Sequence, residues 1–261
     1  MLINIVGVGK VSSSIARQLK GKVSFGFIVS RDFLKAQNLA FELSATPVSY
    51  QENFTLNGIT LLGLNDSVLP KAKELLIGKV GEITALHFSG FHPSTILPKE
   101  WKPASMHPNC AVSNEWYSFK NVVFGIEGWQ ESVKLAMEVV EILGGKSVII
   151  PTVKKPLYHL AAVISSNFPM ALVYMSLLIY KELGINDETG RKIISELLGS
   201  VRNNINKCNL KDALTGPVKR KDFEVVEKEK TIFKEFFEKY EISTQLYNHL
   251  IKILQKITEE G

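Results

Sequence analysis

The stretch NIVGVGKVSSSIA, residues 4–16, sets an apolar run, a glycine-rich turn and the opening of a helix in immediate succession. The unbroken apolar run predicts a strand buried on both faces, and the segment after the glycines predicts a helix. Gly7 would permit the tight turn between them, and Gly9 would let a pyrophosphate approach the backbone. Free N–H groups and the dipole at the start of the helix attract negative charge to that point. Gly7, Val8, Gly9, Lys10, Val11 and Ser12 are therefore the expected cradle of a dinucleotide. Where the pattern G-x-G-x-x-G has its third glycine, this chain carries Ser12. That position serves close packing of helix on strand, so a small residue is tolerated, and its hydroxyl could reach a phosphate. The alternative is a strand–turn–helix joint that holds nothing.

The second apolar run, FGFIVSRD (25–32), sharpens the expectation. A dinucleotide without a 2′-phosphate is read by an acidic residue near this point, on the ribose hydroxyls. Here the run ends in Ser30 and Arg31, a hydroxyl and a planar, permanently charged donor suited to phosphate. NADP (NADPH) is accordingly favoured over NAD. Asp32 is the competing reader if the register differs, although an aspartate there also suits a helix N-cap. In GLNDSVLP (63–70), Asn65 and Asp66 follow another strand at the edge where ligands collect.

Working outward, short apolar strands alternate with amphipathic helices up to about residue 150. That alternation predicts α/β architecture, a doubly wound, Rossmann-like parallel sheet. Beyond Pro151 only helical periodicity remains, over 157–183, 187–207 and 222–258, which predicts an all-α second domain. The expected domains are 1–150, binding nucleotide, and 151–261, helical. The run LAAVISSNFPMALVYMSLLIY (160–180) approaches membrane-span length. It contains Asn167, Pro169 and several serines, and is read as a buried central helix, with no membrane involved.

The composition, 45% hydrophobic and 22% charged, is that of a globular protein. A net charge of +5 is spread among glutamates, with no basic stripe interleaved with aromatics, which argues against nucleic acid. Cys110 and Cys208 lack metal-ligand spacing and suit a reducing, cytoplasmic setting. Cys110 is expected to act as a small apolar filler, and no metal site is expected.

Four ordered stretches carry a further resemblance: LHFSGFHPS (86–94), SMHPNCAVS (105–113), YHLAAVISSN (158–167) and ALTGPVKRKD (213–222). After a Rossmann start, they resemble the NADP-binding oxidoreductases whose C-terminal helical domain is of unknown function. Those are distant relatives of pyrroline-5-carboxylate reductase, ketopantoate reductase and 6-phosphogluconate dehydrogenase. The resemblance implies a helical, dimerising second domain of the 6-phosphogluconate dehydrogenase C-terminal kind. Lys221 stands where it leads one to expect a glycine, which would alter the loop.

Hydride transfer to a carbonyl or imine needs groups that position the acceptor and meet its heteroatom. His159 and Asn167 are expected to share a helix face, as a lysine and an asparagine do in ketopantoate reductases. By that analogy His159 is the general acid and Asn167 orients the substrate. Ser89, at a strand end, and His107, after a short strand, are the expected positioning groups. Thr215, Lys219 and Arg220 either meet an anion or merely finish a loop. The expected activity is NADP-dependent reduction or oxidation of a small carboxylate-bearing carbonyl or imine compound, by a homodimer formed through the helical domain. The alternative is a non-catalytic NADP-binding sensor or regulatory dimer.

Overall fold

β1 (Leu2–Val6) is buried in all but its first residue, as a central parallel strand covered on both faces must be. It lies in one eight-stranded sheet, order β3-β2-β1-β4-β5-β6-β7-β8, in a computed structural model that describes residues 1–114 and 116–259. The other strands are β2 (Ser24–Val29), β3 (Thr46–Val48), β4 (Leu56–Leu62), β5 (Val80–His87), β6 (Ala104–Pro108), β7 (Val123–Gly128) and β8 (Lys146–Ile149). α1 (Lys10–Leu19), α2 (Phe33–Leu43) and α4 (Gln130–Ile142) supply the principal helical cover, with the one-turn α3 (Ala72–Leu75) after β4.

Every adjacent pair is parallel except β6–β7. The described residues between those two strands form no crossover helix, and a parallel return needs one. Strand order reverses between β1 and β4, so the loops after both strands open into one crevice. One row of residues crosses the sheet near its carboxyl edge: Val29, Val6, Leu62, His87, Ser105 and Glu127. Its first half is apolar and its second half polar, and every member is buried.

The chain divides into two compact units, 1–169 and 170–261. In sequence the break falls inside the long helix α5 (Lys155–Glu182), not at Pro151, because the start of α5 packs against the sheet. The second unit contains the rest of α5, α6 (Asp187–Lys207), α7 (Leu210–Ala213), α8 (Pro217–Arg220), α9 (Phe223–Phe237) and α10 (Thr244–Glu259).

Three expectations need correction. The helix over 222–258 is two helices, broken where Glu241 turns left-handed at φ 56°. His107 lies within β6 and not after it. The apolar run 160–180 is helical but mostly exposed within one chain, with only 6% of its most apolar window buried. Lys221 adopts φ 59°, the left-handed conformation in which glycine is most at ease.

Candidate functional site

The crevice is built on two glycines pressed together. Gly7 takes φ 91°, and a Cβ there would stand 2.5 Å from the Gly63 carbonyl oxygen. A Cβ on Gly63 would in turn stand 2.5 Å from the Gly7 oxygen and 2.7 Å from Ser12 Oγ. Ser12 is 1% exposed, and its hydroxyl donates to the Gly7 carbonyl at 2.7 Å while accepting from Gly9 N at 2.9 Å. The third-glycine position is thus a serine whose polar group closes the turn. Its hydroxyl is committed to the backbone, which corrects the expectation that it reaches a phosphate. The first-turn N–H groups of α1 have no partners within the helix, which makes this turn a candidate anion site.

From this turn a cavity of about 850 Å³ runs toward the end of β2, lined by Gly7 to Gly9, Ser30, Arg31, Tyr50, Gly63 to Asn65 and Lys71. Arg31 is exposed on its wall, and Lys35 adds a further cation. Asp32 caps α2, its Oδ1 accepting from Lys35 N at 3.3 Å, and its own N–H donates to Ser30 Oγ at 3.2 Å. Asp32 therefore has a structural task, and so has the Ser30 hydroxyl. Tyr50 is pushed up to about 12 by burial.

A second cavity, about 520 Å³, lies on the other side of the same turn. Its walls include Lys10 to Ser12, Asn65 and Asp66, then Ser89, Gly90, His107 and His159. Gly9, Gly63, Leu64 and Asn65 line both cavities. Ser89 Oγ accepts from the Phe91 and His92 amides at 3.2 and 2.9 Å, which leaves its hydrogen to donate. Gly90 makes room here. A Cβ on it would lie 2.5 Å from His159 Nδ1 and 2.8 Å from His107 Nε2, so both imidazole rings pack against Gly90 where only a glycine fits. His159 Nδ1 is buried without a hydrogen-bond partner among the described residues.

His107 is held from behind. Its Nδ1 lies 3.0 Å from the Tyr158 hydroxyl, which donates to Asn109 Oδ1 at 2.9 Å. Burial, then the nearby Lys155 charge, drives His107 down to about 4, so it is neutral at physiological pH. His87 is fully buried, accepts from Ser89 N at Nδ1, and is shifted far below the ordinary imidazole range by burial. It faces neither cavity.

The polar half of the sheet row ends in an ion pair that the sequence did not announce. Lys155, wholly buried at the start of α5, lies 3.3 Å from Glu127 Oε1 and donates to Ser105 Oγ. Glu127 also accepts from the Ser94 amide and hydroxyl, both at 2.8 Å. Burial lowers Lys155 to about 8, against the opposing pull of Glu127. This pair pins the first turn of α5 to β6 and β7, and so sets where Tyr158 and His159 point. The available signal was Glu127 itself, a charge inside the apolar run NVVFGIEG.

Of the residues expected from sequence, Gly7 to Ser12, Ser30, Arg31, Asn65 and Asp66 surround the two cavities, and Ser89, His107 and His159 meet in the second. Asn167 does not join them. It is exposed, its Oδ1 accepts from Ser166 Oγ at 3.0 Å, and it lines neither cavity. Eight residues of helix amount to about 12 Å of rise, too far for one small site. In the second unit, Lys219 Nζ donates to the Lys211 carbonyl and lies 3.9 Å from Asp212, which is a loop-closing role. Cys110 packs against the core beside Tyr117, its thiol pushed up by burial.

The sequence model of the family described as Domain of unknown function (DUF2520) matches residues 122–252. Protein TM1727 from Thermotoga maritima is 33% identical, with 98% of each chain covered and a TM-score of 0.81. A candidate NADP oxidoreductase, BF3122 from Bacteroides fragilis, is 18% identical over 98% of each chain, TM-score 0.75. The 1-pyrroline-5-carboxylate reductase of Streptococcus pyogenes is 14% identical over 98% of each chain, TM-score 0.66. The last two likenesses show a common fold. No protein of curated function matches the sequence. With a 33% identical relative spanning nearly both whole chains, and half its own length inside the family model, this chain belongs to the DUF2520 family.

Proposed function

We propose that the chain is a soluble, cytoplasmic NADP-dependent oxidoreductase acting on a small carboxylate-bearing carbonyl or imine compound. The observation that carries this is the shared wall of the two cavities: Gly9, Gly63, Leu64 and Asn65 belong to both. An extended dinucleotide crossing there would have its phosphates at the start of α1, one end by Arg31 and the other by His107 and His159. The close approach of Gly7 and Gly63 is the kind of cradle such a ligand needs. The fold shared with a candidate NADP oxidoreductase and a 1-pyrroline-5-carboxylate reductase supports the same reading.

Bound in this way, a nicotinamide nucleotide would supply the hydride. Arg31, Lys35 and Lys71 supply charge for a 2′-phosphate, while Asp32 is occupied as a cap. Ser89 donates its hydroxyl hydrogen to the substrate carboxylate. The His107 and His159 rings line the cavity where the reacting heteroatom would sit, and His159 is our candidate for proton transfer to it. The test is NADPH oxidation across a panel of 2-oxo acids and cyclic imines, repeated with His159→Ala. Turnover that falls at least about a hundredfold in the variant supports the enzyme. Tight NADPH binding with no turnover anywhere in the panel would leave a nucleotide sensor.

A further inference from the structure

The hydrogen-bond chain behind His107 fixes which of its ring nitrogens carries the proton. Asn109 Nδ2 donates to the Val123 carbonyl at 3.0 Å, so the amide must present Oδ1 to Tyr158. An amide oxygen accepts only, so the single hydroxyl hydrogen of Tyr158 goes to Asn109. The Tyr158 oxygen then has only lone pairs for His107 Nδ1 at 3.0 Å, and Nδ1 must bear the hydrogen. In the neutral ring this leaves Nε2 as a bare lone pair beside Gly90, on a ring that lines the second cavity.

We propose that the Asn109–Tyr158–His107 chain makes this a site for a substrate whose reacting heteroatom carries its own hydrogen, a protonated imine and its amine product, and not a ketone. The proposal rests on the reductase reading above. A ketone oxygen brings only lone pairs, and one of them would face the lone pair of His107. A protonated imine brings an N–H that His107 Nε2 accepts. Hydride addition to its carbon moves the C=N electron pair onto nitrogen, where the original N–H stays. The new lone pair can then take a hydrogen bond or proton from His159, whose ring lines the same cavity. Leaving the His107 lone pair unmatched in this half-buried place is the penalty that disfavours a ketone. Tyr158 and Asn109 act through His107 and are positioning residues.

Histidine-ring 15N spectra of the full chain, recorded without nucleotide, read the tautomer directly. His107 is expected as the Nδ1–H form, and Tyr158→Phe is expected to release it to a mixture. In the NADP-saturated protein, 2-methylpyrrolidine is expected to move the His107 Nε2 resonance by several ppm, with cyclopentanone leaving it in place. An Nε2–H tautomer in the unsubstituted protein would overturn the proposal. So would an equal response to both probes, no response to the amine, or a tautomer unchanged in Tyr158→Phe. Failure of NADP to bind, with the tautomer as described, would remove the reductase reading and the substrate proposal with it, and leave only the tautomer assignment.

Discussion

At the scale of single residues, the site is arranged by polar groups whose protonation is decided by burial. His107 sits at about 4 when folded, against an ordinary value of 6.5. Between those two pH values the unfolded chain binds more protons than the folded one, so stability rises with pH there and is lost as pH falls from 6.5 toward 4. Urea midpoints measured across that window should drop on acidification, and His107→Gln should flatten the drop. An unchanged slope in the variant would remove His107 from the acid response. Lys155, at about 8 instead of 10.5, acts over a different window. Its titration makes stability rise from pH 8 to 10.5. Gly7 is exposed to a steric limit instead. Gly7→Ala meets both φ 91° and the Gly63 carbonyl, and should cost at least about 2 kcal/mol in denaturant unfolding. A variant as stable as the parent would show that the turn can relax.

At the scale of elements, the joint that matters is between the start of α5 and the polar half of the sheet row. Lys155, Glu127, Ser105 and Ser94 join α5 to β6, β7 and the loop after β5. Lys155→Met should destabilise by about 3–5 kcal/mol, because it strands the Glu127 carboxylate in the core. Lys155→Met combined with Glu127→Met should recover most of that loss. A single variant no less stable than the parent would mean that the pair is not holding α5. The alternation of strands and helices was legible because each central strand is short and rich in apolar and β-branched residues. The β6–β7 reversal was not, since a loop's direction leaves no periodicity in sequence. The break at Glu241 was hidden for a related reason: a glutamate held left-handed gives none of the warning a glycine gives.

At the scale of the molecule, α5 presents Leu157, Leu160, Ile164 and Phe168 at helical spacing, all more than 45% exposed. On α6, Leu197, Val201 and Ile205 form a similar exposed stripe. We propose that a second copy of the chain covers these faces, as expected of the helical half. Light scattering should give twice the 29.1 kDa of one chain, and Ile164→Glu with Phe168→Glu should give a monomer. A monomeric parent would contradict it. The cofactor end of the site was readable from the glycines and from Ser30 and Arg31, because those residues act through the backbone turn and through charge. The catalytic end was only half readable. His159 and His107 were visible as polar residues in apolar surroundings, but Tyr158, Asn109 and Lys155 acquire their meaning only when β6, β7 and α5 are brought together. The central claim is that the crevice beside Gly7 and Gly63 holds a 2′-phosphorylated nicotinamide dinucleotide, and calorimetric titration with NADPH and NADH tests it most directly. NADPH should bind at least about tenfold more tightly than NADH, a margin of roughly 1.4 kcal/mol, and Arg31→Ala should remove most of that difference. Equal affinities in the parent protein, or no binding of either nucleotide, would contradict the account.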